Sequence, residues 1–194
     1  MHATTVVAAL IVSATASLAA SAQGGAVVDR QPGKVAIAQA VDVTATISAI
    51  DFGRREITLK GAGEKTVTVI AGPEVKNFDQ LKAGDKVDIR YMEALAVELK
   101  KGGGLPLGRT DKENTVSASP GESPAAASER KVTLVGDVIG LDPATQTVTL
   151  KGRQRTAQLK IRDKKQFDLI AMGDQIEATY VEAIAVSVRP STKK

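Results

Sequence analysis

The chain states one pattern twice. Asn77-Phe78-Asp79-Gln80-Leu81-Lys82-Ala83-Gly84-Asp85-Lys86-Val87 returns as Gln166-Phe167-Asp168-Leu169-Ile170-Ala171-Met172-Gly173-Asp174-Gln175-Ile176. Tyr91-Met92-Glu93-Ala94-Leu95-Ala96-Val97 returns as Tyr180-Val181-Glu182-Ala183-Ile184-Ala185-Val186. The spacing between equivalents falls from 91 residues at Leu59/Leu150 to 90 at Val69/Leu159 and 89 at Phe78/Phe167. Both losses fall near residues 61–65 and 72–76, in stretches that read as surface loops, where length changes are tolerated. A duplication of this kind specifies two copies of one small fold.

Within the first copy, Val41, Val43 and Ile47 alternate with polar residues, as do Ile57 with Leu59 and Val67 with Val69. Period two is the mark of half-buried strands. The second copy agrees at Val132, Leu134 and Val138, at Val148 and Leu150, and at Ala157, Leu159 and Ile161. Residues 92–99 taken alone favour a helix by propensity. Their twin, residues 181–188, is richer in β-branched side chains, and Val87, Ile89, Tyr91, Leu95, Val97 and Leu99 keep the odd positions apolar. Strands are therefore expected, bent at Glu93-Ala94. Phe78 with Leu81, and Phe167 with Ile170, are spaced for one helical turn between the third and fourth strands.

Three strands, a helical turn and two more strands give the order of a five-stranded OB-like barrel. The fold class expected is all-β, two tandem OB-like barrels over residues 41–100 and 131–190. Residues 101–130 hold Gly102-Gly103-Gly104, Pro106, Gly108, Pro120, Gly121 and Pro124 with few large apolar side chains, so a disordered linker is expected there. Residues 23–40 read as a flexible N-terminal segment and 191–194 as a tail.

The address comes from residues 1–22. A short apolar run, Val6 to Val12, is followed by small residues and Ala20-Ser21-Ala22, a small-x-small pattern that predicts a signal peptide cut after Ala22 and a periplasmic or secreted protein. The stretch lacks the basic leader usual in such signals. Ser13, Thr15, Ser17 and Ser21 interrupt it, and a spanning helix needs ~20 predominantly apolar residues, so no transmembrane segment is expected in the mature chain.

Residue types limit the chemistry. The chain has no Cys and no Trp, and its one His is His2, which excludes thiolate chemistry, disulfides and, after signal removal, imidazole. Met92 and Met172 stand at non-equivalent places and make no soft-metal site. Loops 51–55 and 142–146 offer one carboxylate each, too few for Ca²⁺. No cofactor, metal site or catalytic residue is expected, and the chain reads as not an enzyme. Nucleic acid is disfavoured despite a net charge of +4: single-strand readers stack bases on exposed aromatics, and only Phe52 lies outside core positions. The Lys and Arg excess of the second copy, including Arg153, Arg155, Lys160, Arg162, Lys164 and Lys165, reads as a solvated face or, if used, one that favours anionic envelope components.

One pattern resists a purely structural reading. The alternation that turns Tyr91 inward also turns Glu93 inward, and Glu182 follows Tyr180 in the same way. A carboxylate left unpaired in a core costs several kcal/mol. Two explanations stay open. Either a bulge at Glu-Ala swings the carboxylate to a barrel rim, where backbone N–H groups bind it, or Tyr91, Glu93, Tyr180 and Glu182 form ligand-facing pairs at a barrel mouth.

The run Ile50-Asp51, Glu56-Ile57-Thr58-Leu59 and Phe78 through Val87, repeated at Leu141-Asp142, Val148-Thr149-Leu150 and Phe167 through Ile176, resembles small periplasmic OB-fold proteins, including copper/silver metallochaperones of efflux systems. The resemblance implies a fold. Those metallochaperones hold Cu(I) with a His, two Met on a strand and a Trp, whereas the third strand here reads Thr66-Val67-Thr68-Val69, so copper ligation carries over to no residue. The Tyr-x-Glu-Ala-aliphatic-Ala-Val ending is similar to that of uncharacterised exported bacterial proteins. The expectation is a non-catalytic binding or accessory module of the cell envelope, with an envelope protein or an anionic envelope component as partner. An accessory role in envelope metal homeostasis, by fold analogy, and an enzyme of unrecognised type are the alternatives.

Overall fold

The computed structural model describes residues 26–191. The expected signal peptide and most of the expected tail lie outside the described residues. Ten strands follow in chain order: β1 (Ala26–Gln31), β2 (Lys34–Asp51), β3 (Glu56–Lys60), β4 (Thr66–Ile70), β5 (Lys86–Lys100), β6 (Gly108–Ser117), β7 (Ala125–Asp142), β8 (Thr147–Lys151), β9 (Thr156–Lys160) and β10 (Gln175–Arg189). Short 3-10 turns occupy Ala62–Glu64 and Phe78–Gln80, and the four-residue helix α1 spans Lys164–Phe167.

All ten strands belong to one open antiparallel sheet, ordered β4-β3-β2-β5-β10-β7-β8-β9, with β1 added to β2 and β6 to β7. In each repeat the fourth strand of this set returns beside the first, which is Greek-key order. The repeats then meet along their last strands, where β5 pairs with β10 from Lys86↔Arg189 to Lys100↔Gln175. Matching bulges at Ile47/Ala49 in β2 and Val138/Gly140 in β7 interrupt the ladder at equivalent points, and a bulge bends its strand and increases its twist.

Two cores result, one toward each end of the β5–β10 pair. The first gathers Ala45, Ile47, Ile57, Leu59, Phe78, Leu81 and Val87, and the second Val138, Val148, Phe167 and Ile176. The long strands cross between them. Val186 and Val188 of β10 complete the first core, while Val97 and Leu99 of β5 pack on the second. Each repeat therefore finishes its partner's interior as well as its own.

Polar contacts repeat the exchange. Asp85 accepts the backbone N–H of Ser191 at 2.9 Å, just beyond β10, and Asp174 accepts that of Gly102 at 3.1 Å, just beyond β5. Gly84 and Gly173 precede these aspartates at φ 96° and 86°, a left-handed conformation that glycine adopts without strain. Asn77 donates its amide to the carbonyls of Ser119 and Glu122 in the β6–β7 turn. Its equivalent Gln166 accepts from Gly33 N–H and donates to the Gln31 carbonyl in the β1–β2 turn. Within each half the same turns are tied to the last strand, Leu99 N–H reaching the Gly33 carbonyl at 2.7 Å and Val188 N–H the Pro124 carbonyl at 2.9 Å. The repeated motif thus marks the seam between halves.

Four expectations are corrected. The halves are not two separate five-stranded barrels; they share one open sheet, because β5 and β10 each offer an edge with the other's register. The last segment of each repeat is one unbroken strand of 15 residues and not two strands. Residues 101–130 contain β6 and the start of β7. β6 is an almost wholly exposed edge strand, held by its backbone ladder and by ion pairs from Arg130 of β7 to Asp111 and Glu113, so apolar periodicity does not reveal it. Within 23–40, Ala26–Gln31 and the start of β2 form a hairpin.

Candidate functional site

The pairing of β5 with β10 sets Glu93 directly opposite Glu182. Equivalent residues in this part of the repeat lie 89 apart, so Glu93 faces its own copy and a pseudo-two-fold axis passes between the two carboxylates. Side chains directly opposite each other in an antiparallel pair share a face. Tyr91 and Tyr180, each two residues before its glutamate, lie on that face too.

The Tyr91 hydroxyl links the pair, 3.1 Å from Glu93 Oε2 and 3.2 Å from Glu182 Oε1. A phenol has one hydrogen to donate, so a single proton serves two carboxylates. Burial raises the Tyr91 pKa well above its ordinary 10, and the hydrogen bonds to Glu93 and Glu182 raise it further, with Tyr180 adding to the effect. Gln39 of β2, opposite Glu93, donates its amide to Glu93 Oε1. The equivalent of Gln39 is Arg130, opposite Glu182 in β7, and its guanidinium lies 3.5 Å from Asp111 and 3.8 Å from Glu113. The symmetric frame therefore carries an asymmetric charge pattern: a neutral amide bound to Glu93 on one side, and opposite Glu182 on the other a cation whose ion pairs are with Asp111 and Glu113 of β6.

Like charges directly opposite are destabilising in a sheet. Their presence at the centre, held by tyrosine and amide donors, makes this the least structurally economical part of the molecule. The site lies between the cores. Around it on the same face, Val28, Ile37 and Leu95 follow one another across β1, β2 and β5 as register partners, and together with Leu134 of β7 they remain exposed.

The four residues singled out by sequence are thus brought together, but at the middle of the sheet and not at a barrel mouth. The bulge offered as one of the two explanations is absent, since β5 keeps unbroken register with both β2 and β10 through Glu93 and Ala94. A second feature escaped the sequence: on the opposite face, Arg90, Val116, Ala127 and Ala185 line a shallow groove walled by β6. Its signal was hidden because β6 read as linker.

Other candidates do not converge. Met92 lies on the face opposite Glu93 and Met172 in the turn before β10, both exposed. Phe52 meets Phe78 edge-on at 5.8 Å, with Arg55 4.4 Å from the Phe78 ring centre. Asp51 accepts Arg54 N–H, and Asp142 accepts from Thr145 and Ala144, hydrogen bonds that hold the Asp142 carboxyl below its usual range. These loop carboxylates close their own turns. Among the described residues, no group of three or more His, Cys, Asp or Glu is placed to hold a metal ion, and no helix is long and apolar enough to cross a membrane. The chain matches no family model, no curated protein and no solved structure.

Proposed function

We propose that this chain is an exported, non-catalytic binding or accessory module of the cell envelope, periplasmic or secreted, and that its binding face is the middle of β5 and β10. The supporting observation is the Tyr91/Glu93/Tyr180/Glu182 cluster, centred on the pseudo-two-fold axis in the stretch of the sheet between the two cores. A carboxylate pair already sharing one phenolic hydrogen suits a partner that brings further donors, such as an amine or guanidinium. The exposed Ile37 and Leu95 beside it suit apolar contact, and Tyr91 and Tyr180 at its centre are of the residue type enriched among the anchors of protein interfaces. The export pattern of residues 1–22 supplies the setting, and with it an envelope protein as the partner of this face, while an anionic envelope component suits the Lys and Arg excess of the second copy instead.

The test is capture from envelope extract with three baits: wild type, Leu95→Asp, and the double variant Glu93→Gln/Glu182→Gln. Leu95 is exposed, so the first variant keeps the far-ultraviolet circular dichroism of wild type. The reading expects a partner that wild type retains and Leu95→Asp loses. Equal capture by wild type and Leu95→Asp contradicts the placement of the binding face.

A further inference from the structure

The two repeats share a frame, so places where their surfaces diverge show what one half does and the other does not. The hairpin β8–β9 with the following stretch to Ile170 carries seven Lys and Arg against two Asp, while the equivalent residues 56–81 carry three Lys against four acidic residues. The two aspartates are engaged locally: Asp163 accepts Lys165 N–H at the start of α1, and Asp168 pairs with Lys164 at 2.8 Å. Among the described residues, Lys151, Arg153, Arg155, Lys160, Arg162 and Lys165 have no ion-pair partner. Lys160 stands where the first repeat has Ile70, and the β8–β9 turn holds Arg153 where its counterpart, with Glu64 paired to Lys60, holds Ala62.

A second divergence sits on the same stretch of chain. Leu169 and Met172 replace Gln80 and Ala83 of the first repeat, and they are 38% and 60% exposed. Neither belongs to the buried core. Unpaired cations together with protruding aliphatic side chains, without an exposed aromatic for base or sugar stacking, are the chemistry of a surface that lies on anionic lipid headgroups and dips apolar groups into the acyl boundary.

We propose that the second repeat docks peripherally on an anionic lipid surface through the β8–β9 hairpin and the 161–172 stretch. This narrows the partner of the envelope module and rests on that reading for its setting only, since the surface lies outside the Tyr91/Glu93 cluster. Docking would leave the central face free.

The test is co-sedimentation of the full chain with vesicles of phosphatidylglycerol and phosphatidylcholine, against vesicles of phosphatidylcholine alone. Binding is expected to the first only, and to fall at least several-fold as added salt shortens the screening length. The triple variant Lys160→Glu/Arg162→Glu/Lys165→Glu abolishes it, Met172→Gln weakens it several-fold, and Lys60→Glu/Lys76→Glu in the first repeat leaves it within twofold. Glu93→Gln/Glu182→Gln also leaves it unchanged, which separates failure of this inference from failure of the central site. The proposal is overturned if wild type does not sediment with the anionic vesicles. It is equally overturned if Met172→Gln binds them as wild type does while dextran sulfate competes fully, because the surface then reads polyanions and not membrane.

Discussion

Asp85 holds the backbone N–H of Ser191, 106 residues later, at 2.9 Å. Its repeat equivalent Asp174 holds Gly102 at 3.1 Å and also receives Lys101 Nζ and Ala171 N–H, each at 2.8 Å. Each half therefore fastens the strand end that leaves the other. The molecule is an internal pseudo-dimer, and its behaviour should be that of one cooperative unit.

Loss of either clasp should weaken the whole. Asp85→Ala or Asp174→Ala strands buried backbone N–H groups, and each should cost about 2 kcal/mol. Urea titration followed by circular dichroism should give one transition at a lower midpoint for both variants, with no separate unfolding of the half that carries the substitution.

Acid should act through Asp174. Burial pushes its pKa up, but the hydrogen bonds from Lys101, Ala171 and Gly102 outweigh burial and hold it below the ordinary 3.8. A carboxyl depressed in the folded state contributes stability that is complete above the unfolded pKa and is lost as pH falls through the folded one. The urea midpoint of wild type should hold down to about pH 4 and then drop. In Asp174→Asn the midpoint starts lower and its drop below that pH is smaller.

Tyr91 offers a direct reading of the central site. With Tyr180→Phe, Tyr91 is the only tyrosine left, and its ultraviolet ionisation should lag well behind the ordinary tyrosine pKa of 10. Adding Glu93→Gln/Glu182→Gln removes the effect of both carboxylates, leaving burial, and should bring the titration back toward that value. An unchanged curve would place the hydroxyl away from the carboxylates.

Core exchange predicts an effect across the repeat boundary. Val188 belongs to β10 yet is buried with Phe78 and Leu81 of the first core. Val188→Ala should cost about 2 kcal/mol and should speed amide exchange in β3 and β5 of the first repeat as well as in β10.

Sequence periodicity carried the strands and missed their partnership. Val41, Ile57, Val87 and their twins alternate because one face of each strand is packed, and that signal is local. The identity of the packing partner is not local: Val97 reads the same whether it faces its own core or the second one. Residues 108–117 were illegible for a different reason, since an exposed edge strand buries nothing and its Thr, Lys and Glu carry no apolar period. The pairing of Tyr91 with Glu93 was visible from spacing alone. Its meeting with Glu182 was not, because it depends on the β5–β10 register. The duplicated Asn77/Gln166 and Asp85/Asp174 stood in the sequence as marks of a fold, while in the structure they are the contacts that join the halves.

The merged sheet is the claim on which the rest depends, and the lack of cysteine in this chain makes it testable by cross-linking. Ala96 and Thr179 are direct partners across β5 and β10, and Cα atoms of opposed antiparallel residues lie about 4.5–5.5 Å apart, within disulfide range. Ala96→Cys/Thr179→Cys should form an intrachain disulfide under mild oxidation, while Ala96→Cys/Ala183→Cys, four residues out of register, should not. Absence of the intrachain bond in the first variant, or equal cross-linking of both, would contradict a single sheet and leave two halves moving on a tether.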